Sequence, residues 1–76
     1  MPARLPRITA FELMRALERD GWYVTRQEGS HARLKHPSKP GRVTVVLHRA
    51  QTINPKTLRS ALQQAGLTPD ELHRLL

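Results

Sequence analysis

The sequence predicts an α+β fold: a helix, three antiparallel strands, a second helix and a short terminal helix. Three observations predict it. Two stretches, 10–20 and 55–65, carry apolar residues at helical spacing between capping signals. Between them, residues 22–48 hold aromatic and β-branched residues in runs broken by Gly29-Ser30 and by Pro37-Ser38-Lys39-Pro40-Gly41. The chain has only 76 residues, so one thin core has to serve all of these elements. Two helices covering one face of a three-stranded meander is the simplest such arrangement, and it leaves the other face polar and open.

Residues 1–8 read as an irregular arm, because Pro2 and Pro6 interrupt a continuous helix there. Residues 9–76 read as a single domain. Thr9-x-x-Glu12 is a capping box, and Phe11, Leu13, Met14 and Leu17 form the stripe expected to face the core. Asp20-Gly21 ends this helix, with Gly21 suited to the left-handed position. Trp22 to Glu28 is the first strand, with Trp22 and Val24 on one face and Tyr23, Thr25 and Gln27 on the other. Gly29-Ser30 is the hairpin turn. His31 to His36 follows, with Ala32, Leu34 and His36 toward the core and His31, Arg33 and Lys35 outward. In the third strand, Arg42 to His48, Val43, Val45 and Leu47 face the core. Thr44, Val46 and His48 then face out, which leaves Val46 half-exposed. Asn54-Pro55 caps the second long helix, whose stripe is Leu58, Ala61, Leu62 and Ala65. Gly66 closes it, and Leu67 supplies the accompanying contact. Thr68-Pro69-Asp70-Glu71 opens the last helix, whose apolar face is Leu72, Leu75 and Leu76.

The charge is concentrated. Thirteen Lys and Arg against six Asp and Glu give +7. Residues 22–59 hold eight of those cations against Glu28 alone, so the middle of the chain carries the excess. A localised basic field implies a polyanionic partner, either a nucleic acid or an acidic protein. The chain has no cysteine, which removes disulfides and thiolate metal sites and fits a reducing, cytoplasmic setting. No apolar run approaches the length of a bilayer span, and Met1 to Thr9 lacks the apolar core of a secretory signal. The six acids do not cluster as a Mg²⁺ site would require, and the four His do not have zinc-ligand spacing. No cofactor is expected.

Five segments, taken in order, resemble one family. They are Asp-Gly-Trp at 20–22, Gly-Ser-His at 29–31, His-Pro at 36–37, Arg-Val-Thr-Val at 42–45, and Leu-Arg-Ser-Ala-Leu-Gln-Gln-Ala-Gly-Leu at 58–67. Together they look like the HicA toxins, also called YcfA-like proteins, over roughly residues 9–67. The resemblance implies a double-stranded-RNA-binding-domain-like fold, α-β-β-β-α. It also implies an mRNA interferase neutralised by a HicB-family antitoxin, with the His of Gly-Ser-His, His31, as the catalytic residue. Two positions depart from the family's usual pattern. Ala32 stands where many members have a second His, and Val46 where a Pro is common.

The residues themselves suit such chemistry. RNA carries its own nucleophile, the 2′-OH, so cleavage needs a base, an acid and cations on the phosphate, and no metal. An imidazole serves as acid or base near neutral pH. On its residue type alone, His31 reads first as a solvated strand residue; the resemblance reverses that order. His48 is the second candidate imidazole, on the open face of the adjacent strand. Gly29 and Ser30 are candidate RNA contacts, with a plain hairpin turn as the equal alternative. Arg33, Lys35, Lys39, Arg42 and Lys56 are candidate phosphate contacts. Lys56 and Arg59 alone make a sparse basic helix start, so single-stranded or loop RNA fits better than a duplex. Tyr23, on the open face, is a candidate to stack a base, with core or edge packing as an alternative of at least equal weight. His36 reads as structural and His73 as a surface residue. The rival readings are a non-catalytic nucleic-acid-binding module of the same fold and a protein-interaction domain with a basic face.

Overall fold

The computed structural model describes residues 4–47 and 51–76. The elements run α1 (Ala10–Asp20), β1 (Tyr23–Glu28), β2 (His31–Lys35), β3 (Val43–Val46), α2 (Pro55–Ala65) and α3 (Pro69–Leu75). The strands form one antiparallel sheet in the order β1-β2-β3. Ala32, Leu34, Val43 and Val45 are buried on one face of it, in the same cluster as Leu13, Leu17, Leu58, Leu62 and Leu72 of the helices. The expected α+β arrangement is therefore the observed one. His48, the second imidazole of the sequence reading, lies outside the described residues.

Each helix starts where its capping signal stands. The Thr9 hydroxyl accepts from the Glu12 N–H at 3.2 Å, and the Glu12 carboxylate accepts from the Thr9 N–H at 2.9 Å. Asn54 Oδ1 accepts from the Lys56 N–H at 2.8 Å, with Pro55 opening α2. Thr68 and Glu71 repeat the reciprocal box on α3. The Thr68 backbone N–H, and then its hydroxyl, hold the Glu71 carboxyl below its usual value. Both long helices close alike. In α1 the Gly21 N–H reaches Glu18 O and the Trp22 N–H reaches Leu17 O, each at 3.0 Å. This pairing satisfies carbonyls that the helix end would otherwise orphan.

The stripe on α1 differs from the expected one. Ala10, Leu13, Ala16 and Leu17 are buried, Met14 is half-buried, and Phe11 is 53% exposed. The small residues Ala10 and Ala16 let the helix sit close to its neighbours, which turns Phe11 outward. The N-terminal segment also packs. Ile8 is buried, Leu5 lies against the core, and Ile8 O accepts from the Ile53 N–H at 2.8 Å. His73 of α3 donates to Arg4 O at 2.8 Å. At the other end of the chain, Leu72 is fully buried and Leu75 partly so, while Leu76 is exposed. Thus α3 completes the core through Leu72.

A clasp ties the end of α1 to the end of β2. Asp20 O accepts from His36 Nε2 at 2.7 Å. The other ring nitrogen, Nδ1, accepts from the backbone N–H of Ser38 at 3.1 Å and of Lys39 at 3.2 Å. These partners fix the proton on Nε2. The ring also meets Trp22 edge-on, with centroids 5.3 Å apart. Trp22 itself is buried ahead of β1 rather than within it, and its indole N–H donates to Asp20 Oδ2 at 3.1 Å. Gly21 sits under this clasp at φ +108°, where a Cβ would lie 2.7 Å from His36 Nε2. Gly21→Ala therefore combines backbone strain with a clash. It is expected to destabilise the fold by about 1–3 kcal/mol, read as a lower urea midpoint with an unchanged slope.

Candidate functional site

The hairpin around Gly29-Ser30 decides which side chains meet. Gly29 has φ +56°, and no residue other than glycine has a positive φ among the described residues. A positive first and negative second central φ is the sign pattern of a type II′ turn, which suits a two-residue hairpin. Such a turn makes Glu28 and His31 direct cross-strand partners, and they are so paired. Partners directly opposite in an antiparallel ladder project to the same face. Ala32 and Leu34 are buried, so His31, Arg33 and Lys35 point to the open face, and Glu28 goes with His31.

Strict alternation back from Glu28 would carry Val24 to that open face as well. Instead, the register shifts between Val24 and Arg26. Thr25 is the extra residue of a bulge, and its hydroxyl donates to Arg33 O at 3.3 Å. Before the bulge, Tyr23 pairs with Lys35 and Val24 with Leu34; after it, Arg26 pairs with Arg33 and Gln27 with Ala32. This corrects the expected faces of β1. Tyr23 is on the open face as expected, but Arg26 and Glu28 take the places expected for Thr25 and Gln27. Val24 lies opposite Leu34 yet stays 39% exposed, because the long helices pack toward the other edge strand, β3, whose Val43 and Val45 are buried.

Arg26, Glu28, His31, Arg33 and Thr44 line one groove of about 330 Å³ on this face. Arg26 Nη2 pairs with Glu28 Oε1, both side chains being well exposed. His31 is exposed, with Val46 of β3 opposite it. Both ring nitrogens of His36, and Nε2 of His73, are spent on hydrogen bonds. Among the described residues, His31 has no such partner and is available to a ligand.

The other candidates fall into three groups. Gly29 and Ser30 form the exposed turn beside the groove; Ser30 O accepts from the Leu47 N–H at 2.7 Å, which docks the turn onto the end of β3. Lys35 and Arg42 share a second shallow recess with Gly41. Lys39 and Lys56 stand apart. The Lys39 ammonium is half-buried, 2.6 Å from Asp20 Oδ2 and 3.2 Å from Ala65 O, so its charge is spent on the clasp at the end of α1. Lys56 is exposed in the first turn of α2. The residues that sequence reasoning missed are Arg26 and Glu28. Their signal was the turn itself, since a two-residue loop forces residue 28 onto the face of residue 31. Among the described residues, no three His, Asp or Glu side chains come together as a metal-ligand set, and no helix is long and apolar enough to cross a membrane.

A family model described as the HicA toxin of bacterial toxin-antitoxin matches residues 11–67 of the 76. The chain belongs to the HicA toxin family. It is accordingly the toxin component of a toxin–antitoxin pair, and an antitoxin is its partner. No curated relative matches the chain. The HicA match takes in nearly all of α1, the three strands with the groove, and α2 through Leu67. It leaves α3 outside, although Leu72 is part of the same core.

The two imidazoles of β2 and its end differ in what they hold together, and stability measurements separate them. His36→Ala strands the Asp20 carbonyl and two backbone N–H groups, and is expected to cost about 1–3 kcal/mol. His31→Ala removes an exposed ring and is expected to change stability by less than about 0.5 kcal/mol. Urea denaturation of the two variants beside the wild type checks both values.

Proposed function

We propose that this toxin is an endoribonuclease of the mRNA-interferase kind, acting without a metal and using His31 as an acid–base catalyst. The observation that carries the reading is the groove, in which an exposed imidazole shares a surface with two guanidinium groups, Arg26 and Arg33. RNA brings the 2′-OH as nucleophile. The imidazole moves a proton to or from a reacting oxygen. The guanidiniums stabilise the charge that grows on the phosphate oxygens.

Single-stranded mRNA is the substrate of this reading. The turn residues Gly29 and Ser30 border the groove, and Gly29 leaves open space where a side chain would stand. Lys35 and Arg42 extend the cationic track along the hairpin and hold further phosphates without reading sequence. Lys56 is a peripheral phosphate contact on α2. Lys39 is left out of the set because its ammonium already neutralises Asp20. Tyr23 stands with Lys35 on the open face and offers a ring for a base to stack on. A HicB-family antitoxin covering this face would exclude RNA from His31. Both events belong to the cytoplasm, where mRNA is met. Residues 9–76 act as a single domain, onto whose core Leu5 and Ile8 of the preceding segment are packed.

Purified toxin incubated with single-stranded RNA in EDTA is expected to cleave it. His31→Ala is expected to lose at least about 100-fold in rate, the lower end of what a positioned acid–base group supplies. RNA binding without cleavage by the wild type would favour the non-catalytic binding module instead.

A further inference from the structure

We propose that Glu28 is the second catalytic group of this site, the general base that accepts the 2′-OH proton while His31 acts as the acid. The proposal rests on the ribonuclease reading above and adds a named division of labour to it. Cleavage through the 2′-OH needs two proton transfers, one from the attacking oxygen and one to the leaving oxygen. An imidazole alone serves one of these at a time. Among the described residues that line the groove, Glu28 is the only carboxylate, and it is the direct cross-strand partner of His31.

The geometry favours a working pair over a chance neighbour. Directly opposed residues in a ladder have Cβ atoms about 5 Å apart. The two-residue turn holds this closing pair with no slack, and regular alternation after the bulge puts Arg26, two residues before Glu28, on the same face. A phosphate seated against Arg26 and Arg33 would lie beside both the carboxylate and the imidazole, on the next rung of the same face. The groups facing Glu28 are Arg26 on its own strand, His31 and Arg33 on β2, and Thr44 on β3. The helices pack on the opposite face of the sheet. Arg26 fills two positions in turn: paired with Glu28 when the groove is empty, and shared with a phosphate oxygen when it is filled.

The step balances. The Glu28 carboxylate takes the proton from the 2′-OH, and the 2′-oxygen bonds to phosphorus. The bond from phosphorus to the 5′-oxygen breaks, and that oxygen leaves with the proton of the His31 imidazolium. The products are a 2′,3′-cyclic phosphate and a 5′-hydroxyl. Glu28 then returns its proton to water and His31 regains one from it.

The test compares wild type, Glu28→Gln, Glu28→Asp and His31→Ala on one single-stranded RNA in EDTA across a range of pH. Wild type is expected to give a bell-shaped kcat, falling on the acid side as Glu28 is protonated and on the alkaline side as His31 loses its proton. Glu28→Gln is expected to lower kcat at least about 100-fold, remove the acid limb and leave KM no higher, because a negative charge has been taken from a phosphate site. Glu28→Asp keeps a carboxylate and retains part of the activity. Thermal melting of Glu28→Gln close to wild type accompanies these results, since the side chain is exposed. Glu28→Gln with wild-type kcat and an intact acid limb, beside an inactive His31→Ala, overturns the role of Glu28 and leaves the ribonuclease reading standing. No cleavage by wild type overturns both.

Discussion

Two demands meet at the β1–β2 hairpin, and the structure satisfies both with a single extra residue. The turn at Gly29-Ser30 makes Glu28 and His31 share a face. Burial of Ala32 and Leu34 fixes which face that is, because a slip of one residue would put His31, Arg33 and Lys35 into the core. Burial of Trp22 next to α1 fixes the other end of the strand. A regular β1 could not meet these conditions together. The bulge at Thr25 takes up the difference, so that Tyr23 and Val24 follow the register set by Trp22 while Arg26 and Glu28 keep the one set by the turn, beside His31. The composition of the groove is thus a consequence of packing and turn geometry.

The core is thin, as it has to be in so short a chain, and the fold divides its polar work accordingly. One side of the sheet is covered by helices. The polar groups close to that layer are tied down: His36 to Asp20, Ser38 and Lys39, and Lys39 to Asp20 and Ala65. The other side carries His31, Arg33, Lys35 and Thr44 in the open, with Arg26 and Glu28. The open sheet face leaves these groups accessible without weakening the core. His31 and His36 sit on the same stretch of chain, yet His36 is part of the scaffold and His31 stands exposed in the groove.

Most of the architecture was legible in the sequence because its signals are local. Thr9, Asn54 and Thr68 cap through groups within three residues of themselves, and Gly21 and Gly66 close helices through groups within five. The alternation of β2 was equally plain, and with it the outward course of His31 and Arg33. What escaped was set by contacts distant in sequence or by competing local rules. Phe11 fell on the wrong side because an apolar stripe admits several rotations and the close packing of Ala16 chose among them. Lys39 was counted as a phosphate contact because its partners, Asp20 and Ala65, lie far from it in the chain. Alternation and the two-residue turn gave contradictory faces for Glu28, and only the bulge reconciles them.

Ribonuclease action by this toxin requires that RNA meet the open face of the hairpin at His31. Chemical-shift mapping tests this most directly, with ¹⁵N- and ¹³C-labelled toxin titrated with a single-stranded RNA whose 2′-hydroxyls are replaced by hydrogen to prevent cleavage. The predicted result is shifts concentrated at Arg26, Glu28, Gly29, His31, Arg33 and Thr44, with His36 and Lys39 unmoved. Shifts centred on α2, or on the clasp around His36 and Asp20, with the hairpin face silent, would contradict it.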